Sequence, residues 1–171
     1  MENVLNPSHT LVSCVGCRAM VPDLPERYGP AHQYLGASPG CWHIYGEVNA
    51  RMFPSMTVRG LCADTYMVQH PGVPSRQSIQ SVARHLLGLY WALEHELPFD
   101  KAVKAMSGAP VGQFVWLDPP SSPGPLTVVD VAQETGDAAR VEVIRQWAKT
   151  TWEAWRPHHQ TIRDWASLCF P

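Results

Sequence analysis

Beyond residue 40, hydrophobic residues recur at the spacing of an α-helix. Over residues 41–53 they fall at intervals of three, three and four positions, which marks one face of a helix that ends at Pro54. The same reasoning predicts a second helix over residues 56–70, which the following Pro-Gly pair stops. The longest apolar stripe predicts a third helix over residues 76–96.

The second half of the chain continues this pattern with interruptions. Residues 99–106 predict a short helix, and residues 107–126 are so rich in proline that they predict a long irregular loop. Residues 127–131 fit either a short strand or the start of a helix. A last helical stretch runs from residue 137 to about residue 168, with a kink at Pro157.

The first 40 residues have no regular hydrophobic period and are rich in proline and glycine. Because proline fixes φ and lacks an N–H, this arm is predicted to contain neither a regular helix nor a central strand. The chain is therefore predicted to be mainly α, a single-domain bundle of four to five helices spanning residues 1–171. Its parts are an irregular Cys- and His-containing arm (1–40), a helical segment (41–106), a proline-rich loop (107–127) and C-terminal helices (128–171).

Composition narrows the possible functions. The chain has 171 residues with 8 His, 5 Cys and 16 Pro, a formal net charge of −2 and 16% charged residues. The chain lacks the excess of basic residues that is typical of nucleic-acid-binding proteins. No apolar run in the sequence is long enough to span a membrane. Since the first residues do not have the pattern of a secretion signal, we expect a cytoplasmic protein with neither a nucleic-acid nor a membrane partner.

Cys14 and Cys17 form a Cys-x-x-Cys motif in the irregular arm. Two thiolates at this spacing can bind one Zn²⁺ from a tight turn, but a closed site needs four ligands. Cys41 and His32 are predicted to supply the other two. Redox-active or unligated cysteines are the alternatives, whereas disulfides are disfavoured in a reducing compartment. Other histidines that could complete the site are His9, His43, His158 and His159.

Four ionisable residues interrupt otherwise apolar helical stretches: Glu47, Asp64, His70 and His85. Histidines and carboxylates that project from separate helices into a bundle build many helical metal and acid–base sites. We therefore predict these four residues as catalytic candidates that line one pocket together with Tyr66. The alternative is a buried polar network that only fixes the packing of the helices.

Several local motifs together resemble a family of uncharacterised bacterial domains that is common in actinobacteria and their relatives. The resemblance extends over nearly the whole chain, and RMFP at residues 51–54 departs from the family pattern. It implies no activity, because none is associated with the family. The motifs are CVGC at residues 14–17, HQY at 32–34, SPGCW at 38–42, YGEV at 45–48, ADTYMVQHPG at 63–72, SRQSIQSVARHL at 75–86 and WEAWRPHH at 152–159.

The sequence as a whole predicts a small zinc-binding helical protein, with a metal-dependent enzyme acting on a small molecule as one possible function. In such an enzyme the metal activates water or a thiol for hydrolysis or group transfer, and Glu47 or Asp64 serves as the base. One alternative is a non-catalytic zinc-stabilised module that binds a partner protein or a small ligand. A second alternative is a Cys-x-x-Cys thiol redox protein.

Overall fold

The computed structural model describes residues 10–51, 55–109 and 112–169. In this part of the chain the fold is mainly α, as the hydrophobic pattern predicts, and no described helix is both long and apolar enough to cross a membrane. The predicted end of the first helix at Pro54 lies outside the described residues. The helices are α1 (Pro39–Arg51), α2 (Met56–Gln69), α3 (Arg76–Glu94), α4 (Phe99–Ser107), α5 (Val128–Gln133), α6 (Asp137–Ala154) and α7 (His159–Ser167).

The N-terminal arm contains a small antiparallel hairpin. Its strands are β1 (Leu11–Ser13) and β2 (Met20–Pro22), with Val12 opposite Val21. Proline is tolerated here because the sheet has two strands in the described part of the chain, where no third strand needs the missing N–H. Val21 is fully buried in a cluster that includes residues of α1, α2 and α6, so the hairpin is packed onto the helices.

Helix α2 packs against both α3 and α6 and contacts both clusters of buried side chains. One cluster surrounds α3 and includes Leu86 and Leu87. The other includes Ile44 of α1, Ile144 of α6 and the hairpin residue Val21. Because different faces of α2 enter the two clusters, its polar residues can serve two separate sites.

Two details of the second half sharpen the sequence prediction. Residues 127–131 begin a helix and not a strand, because Thr127 and Asp130 form a capping box. The N–H of Thr127 donates to the Asp130 carboxylate at 2.7 Å, and the N–H of Val129 donates to Thr127 Oγ1 at 3.2 Å. The last helical stretch divides near Pro157 into α6 and α7, which raises the number of helices in the described ranges above the predicted four to five.

The proline-rich loop between α4 and α5 is attached to the helices by side chains that donate to its carbonyl oxygens. Nε2 of Gln69 donates to Pro123 at 2.9 Å and to Leu126 at 2.8 Å. Nε2 of His158 donates to Asp118 at 2.9 Å. The loop therefore covers the end of α2, next to the residues described below.

Candidate metal centre and the neighbouring cleft

Three thiols and one imidazole converge where the hairpin meets α1 and α2. Cys14 and Cys17 flank the hairpin turn, Cys41 lies in the first turn of α1, and His70 directly follows α2. Their ligand atoms all lie within 4.8 Å of one another, and all four residues are buried. We call this set the thiol cluster. It could hold a metal ion, and its residue types are those that structural zinc sites use.

The backbone of the Cys-x-x-Cys turn is held by its own hydrogen bonds. The N–H of Arg18 donates to the carbonyl of Cys14 at 3.0 Å, and the N–H of Cys14 donates to the carbonyl of Ala19 at 2.8 Å. Arg18 has a left-handed backbone conformation, with φ of 65°. Because the N–H of Val15 also donates to Oγ of Ser38 at 3.1 Å, the turn is attached to the residues that begin α1.

Gly16 allows this turn to approach the end of α2 closely. A Cβ atom at this position would collide with the carbonyl oxygen of Gly36 and would lie 2.6 Å from Cδ2 of His70. Only glycine avoids both contacts. The glycine inside the motif therefore permits the thiols and the imidazole to meet.

The ring of His70 has one nitrogen occupied and one directed to the thiols. Nδ1 lies 2.7 Å from the carbonyl oxygen of Tyr66, and since a carbonyl only accepts, Nδ1 carries the proton. Nε2 lies 3.3 Å from Sγ of Cys41, and in the neutral ring it presents its lone pair to the thiols. A histidine that donates to a carbonyl through one nitrogen and offers the other to a metal is the usual arrangement at metal sites.

Two distances within the thiol cluster are close to those between neighbouring ligands of a tetrahedral ion, and all its ligand atoms lie within 4.8 Å of one another. Bonds of about 2.3 Å to sulfur and about 2.0 Å to nitrogen place neighbouring ligand atoms roughly 3.5–3.8 Å apart. The sulfur atoms of Cys17 and Cys41 are 3.8 Å apart, and Cys41 Sγ is 3.3 Å from Nε2 of His70. A disulfide needs about 2.05 Å between sulfur atoms, and all five cysteines are free. The spacing therefore suits one ion held jointly by all four residues.

The three thiols are strongly coupled electrostatically. Hydrogen bonds from Cys17 and Cys41 hold the pKa of Cys14 well below its ordinary value. The Cys14 and Cys17 thiols, together with burial, raise the pKa of Cys41 far above its ordinary value. Burial opposes a charged His70 ring, but Cys14 and Cys17 outweigh it and raise the pKa of His70 to about 9. The cluster accommodates a first thiolate readily, whereas three thiolates together require a cation.

An aromatic layer backs the thiol cluster. The hydroxyl of Tyr66 donates to Sγ of Cys41 at 3.7 Å, and burial raises the pKa of Tyr66 so that it stays a donor. The Tyr66 ring stacks on Tyr45, with 4.0 Å between centroids, and on His70, with 4.1 Å. This layer fixes the imidazole and surrounds the sulfur atoms with a largely apolar wall.

The structure places His70, and not His32, beside the three cysteines. His32 is exposed, stacks on Tyr34 with 5.0 Å between ring centroids, and does not belong to the thiol cluster. His70 takes that place, 29 residues after Cys41 in the sequence. It reaches the arm because the N–H of Gly36 donates to the His70 carbonyl at 3.0 Å. The sequence feature that could have indicated His70 is its place directly before Pro71-Gly72, a pair that ends a helix.

The other histidines proposed to complete the site have different partners. His43 lies 3.7 Å from the Glu47 carboxylate, and His158 donates to the proline-rich loop. Nε2 of His159 donates to the carbonyl of Trp152 at 2.9 Å, and the two rings stack with 3.9 Å between centroids. His9 lies outside the described residues.

The four predicted catalytic residues do not share one pocket in the structure. Glu47 is half-buried on α1 and pairs with side chains one turn away on the same helix. His70 belongs to the thiol cluster, and its neighbour Tyr66 with it. Asp64 and His85 do meet, in a cleft of their own.

Asp64 of α2 and His85 of α3 form a direct contact, with 2.8 Å between Asp64 Oδ1 and His85 Nδ1. Gly88 makes room for it, because a Cβ there would collide with Oδ2 and lie 2.7 Å from Cγ of Asp64. Burial raises the pKa of Asp64, and the hydrogen bond from His85 opposes that shift. Both residues line a cleft of about 600 Å³ that side chains of α3 and α4 enclose, which we call the Asp64–His85 cleft.

These observations define a class of protein: a mainly α protein whose N-terminal hairpin joins the helices at a Cys₃His cluster able to hold a metal. The chain belongs to a family of unknown function, DUF5946, whose model matches residues 12–156. The resemblance to an uncharacterised family is thereby confirmed, and the match includes the thiol cluster and the Asp64–His85 pair. No curated protein and no solved structure matches the chain.

Proposed function

We propose that the protein is a zinc-stabilised module that binds one Zn²⁺ through Cys14, Cys17, Cys41 and His70. The observation that carries this proposal is the convergence of four buried ligand atoms within 4.8 Å of one another, with two pairs near tetrahedral spacing. Thiolate and imidazole ligands favour zinc, whereas magnesium and calcium take oxygen ligands.

The burial of the cluster favours a structural ion over a catalytic one. The four ligand residues are between 0% and 4% exposed. A catalytic zinc ion keeps one coordination position for water or substrate, and it usually has three protein ligands. Four protein ligands would fill the tetrahedron, so this site supports the non-catalytic module better than a metal-dependent enzyme.

The proposed role of the ion is to hold the hairpin on the helices. Its ligands come from the hairpin turn, from α1 and from the end of α2. A two-stranded hairpin is marginally stable by itself. Zinc binding contributes about 10–16 kcal/mol in isolated zinc-finger peptides, which is as large as the whole folding free energy of a typical domain.

The partner and the location of this module stay predictions. A net charge of −2 favours a small molecule or a protein over nucleic acid as the partner. A cytoplasmic location suits the proposal, because a reducing compartment keeps thiols available for metal.

Elemental analysis of the purified protein tests the proposal. We expect one zinc per chain, lost in Cys14→Ser/Cys17→Ser and in His70→Ala. His32→Ala is the matched control, since His32 lies outside the thiol cluster, and it should keep its zinc. Cobalt replacement provides a second measurement on the unmutated protein, because tetrahedral sulfur and nitrogen coordination gives a characteristic visible spectrum.

Three outcomes would overturn the proposal. The first is an unmutated protein without zinc, and the second is zinc that persists when both hairpin cysteines are replaced. The third is a cobalt spectrum of octahedral type. A reversible Cys14–Cys17 disulfide formed by mild oxidant in metal-free native protein would favour the thiol redox alternative instead.

A further inference from the structure

The Asp64–His85 cleft has two chemically different walls. Residues of α3 that lie three or four positions apart supply a polar wall with Gln77, Gln80 and Arg84. Helix α4 supplies an apolar wall in which Val103 is 45% exposed. Exposed apolar surface beside convergent polar groups is the usual character of a small-molecule site.

The two ring nitrogens of His85 have different roles. Nδ1 is paired with the carboxylate of Asp64, and no hydrogen bond to Nε2 is made by any residue in the described ranges. When the carboxylate is ionised, Nδ1 carries the proton and Nε2 presents a lone pair. The His85 side chain is 29% exposed and lines the cleft, so a bound molecule can reach that lone pair.

Arg84 adds a positive charge to the polar wall. It is exposed, and within the described residues no carboxylate lies in ion-pair distance of its guanidinium. Guanidinium groups bind carboxylates and phosphates in a forked geometry. Asp64, the one acidic side chain among the described residues that line the cleft, is already paired with His85.

We propose that this cleft binds a small organic anion with an apolar body, and that His85 Nε2 accepts a proton from it. The carboxylate or phosphate lies at Arg84 and the apolar body lies against Val103. The proton passes from an acidic O–H or C–H of the bound molecule to Nε2, which leaves an anionic molecule and an imidazolium. Asp64 acts as a positioning residue that fixes the tautomer of His85 and stabilises the imidazolium. The proposal does not depend on the zinc site.

Nuclear magnetic resonance of the zinc-loaded protein tests the binding step. The probes are hexanoate, hexyl phosphate and hexylamine, which share an apolar chain and differ in the head group. We expect the two anions to shift the signals of His85 and Val103 in a saturable manner, and hexylamine to leave them unchanged. The tighter of the two anions identifies whether a carboxylate or a phosphate suits the cleft.

Two arginines on the same helix provide the matched variants. Arg84→Gln should weaken anion binding about tenfold or more, as expected for the loss of a charge-assisted hydrogen bond. Arg76→Gln removes an exposed arginine of α3 that does not line the cleft, and it should bind like the unmutated protein. Absence of saturation with both anions, or equal binding by the two variants, overturns the proposed ligand class.

The nitrogen spectrum of the His85 ring tests the acid–base step separately. We expect a protonated Nδ1 and an unprotonated Nε2 in the neutral ring, and a change in the tautomer ratio in Asp64→Asn. A neutral ring protonated at Nε2 in the unmutated protein would overturn the assigned role. Zinc content, measured on each sample, distinguishes failure of this proposal from failure of the proposed metal site.

Discussion

The thiol cluster and the Asp64–His85 cleft each contain a histidine, and α2 contributes to the cleft and ends at the cluster, yet the two regions differ in access to solvent. His70 is fully buried and donates to a backbone carbonyl, whereas the His85 side chain is 29% exposed and pairs with a carboxylate. Negative charge on the buried thiols can be compensated only from within the cluster, by a protonated His70 ring or by a metal ion. The cleft can exchange protons and ligands with solvent. Burial therefore separates a histidine suited to stability from one suited to chemistry.

The largest effect is expected from removal of the metal, which acts on the thiol cluster and not on the Asp64–His85 cleft. Treatment of the native protein with a chelator should lower the free energy of unfolding by several kcal/mol, on the scale of zinc binding energies. Circular dichroism during thermal unfolding, with zinc measured on the same samples, gives the comparison. Cys14→Ser/Cys17→Ser should be insensitive to the chelator. An unchanged unfolding temperature in metal-depleted native protein would contradict a structural role.

A smaller steric change should affect the thiol cluster alone. Gly16→Ala introduces a Cβ against Gly36 and His70, so we expect zinc affinity to fall about 10- to 100-fold, as for losses of groups that orient metal ligands. Competition with a chromogenic chelator measures this change. Gly46→Ala is the control, because nothing lies within 4 Å of a Cβ in that position. It should keep zinc affinity and gain about 0.5–1 kcal/mol of stability. Equal affinities in both variants would show that the close approach is not needed.

The corresponding change in the cleft is Gly88→Ala, which places a Cβ against the Asp64 carboxylate. We expect about 1–2 kcal/mol of lost stability from overpacking, partly offset by the better helix propensity of alanine. The Asp64–His85 hydrogen bond should be lost, which the nitrogen spectrum of the His85 ring detects. Zinc content should stay at one per chain. Zinc lost together with the hydrogen bond would mean that the two regions are coupled through α2.

The helices could be predicted from sequence because each has its own local signals. The apolar stripe of α3 and the prolines that bound the helices depend only on neighbouring residues. Cys14, Cys17 and Cys41 were recognisable as a set for a similar reason, since they lie close together along the arm. These local signals do not indicate which distant helix end contacts the arm.

The fourth residue of the thiol cluster cannot be predicted from the residues near the cysteines in sequence. The sequence favours His32 because it lies in the same irregular arm as the Cys-x-x-Cys motif, whereas the packing of α2 brings His70 to the thiols. The single predicted pocket failed for the same reason. Asp64 lies in α2 and His70 directly follows it, but their environments differ, and the hydrophobic pattern does not say which neighbour covers each of them.

A subtler test of the thiol cluster removes one hydroxyl group. Tyr66→Phe keeps the stacked ring but loses the hydrogen bond to Cys41, so zinc affinity should fall about fivefold, near 1 kcal/mol. Tyr45→Phe changes the neighbouring ring of the same stack, whose centroid lies 4.0 Å from that of Tyr66, and should leave the affinity unchanged. The competition assay reports both. If Tyr45→Phe lowers zinc affinity more than Tyr66→Phe does, the stacked rings and not the Tyr66 hydroxyl set the affinity.

The smallest expected effect is a pH dependence that distinguishes the cleft from an ordinary ion pair. Burial raises the pKa of Asp64 in the folded state. The stability linked to Asp64 is therefore fully present below the unfolded pKa of about 3.9 and is lost as pH rises through the folded pKa. Asp64→Asn does not titrate, so the unmutated protein should lose stability relative to this variant as the pH rises above about 4.

Denaturant unfolding of both proteins across this pH range measures the difference, and the acid sensitivity of the thiol cluster cancels because both proteins contain it. Arg84 and His85 are the basic side chains among the described residues that line the cleft, and the hydrogen bond from His85 limits the size of the effect. If the stability of the unmutated protein instead rises with pH relative to Asp64→Asn, the attraction of Arg84 and His85 for the Asp64 carboxylate outweighs the effect of its burial. Asp64 and His85 would then form a stabilising ion pair, and the contrast between a cluster built for stability and a cleft built for chemistry would no longer hold.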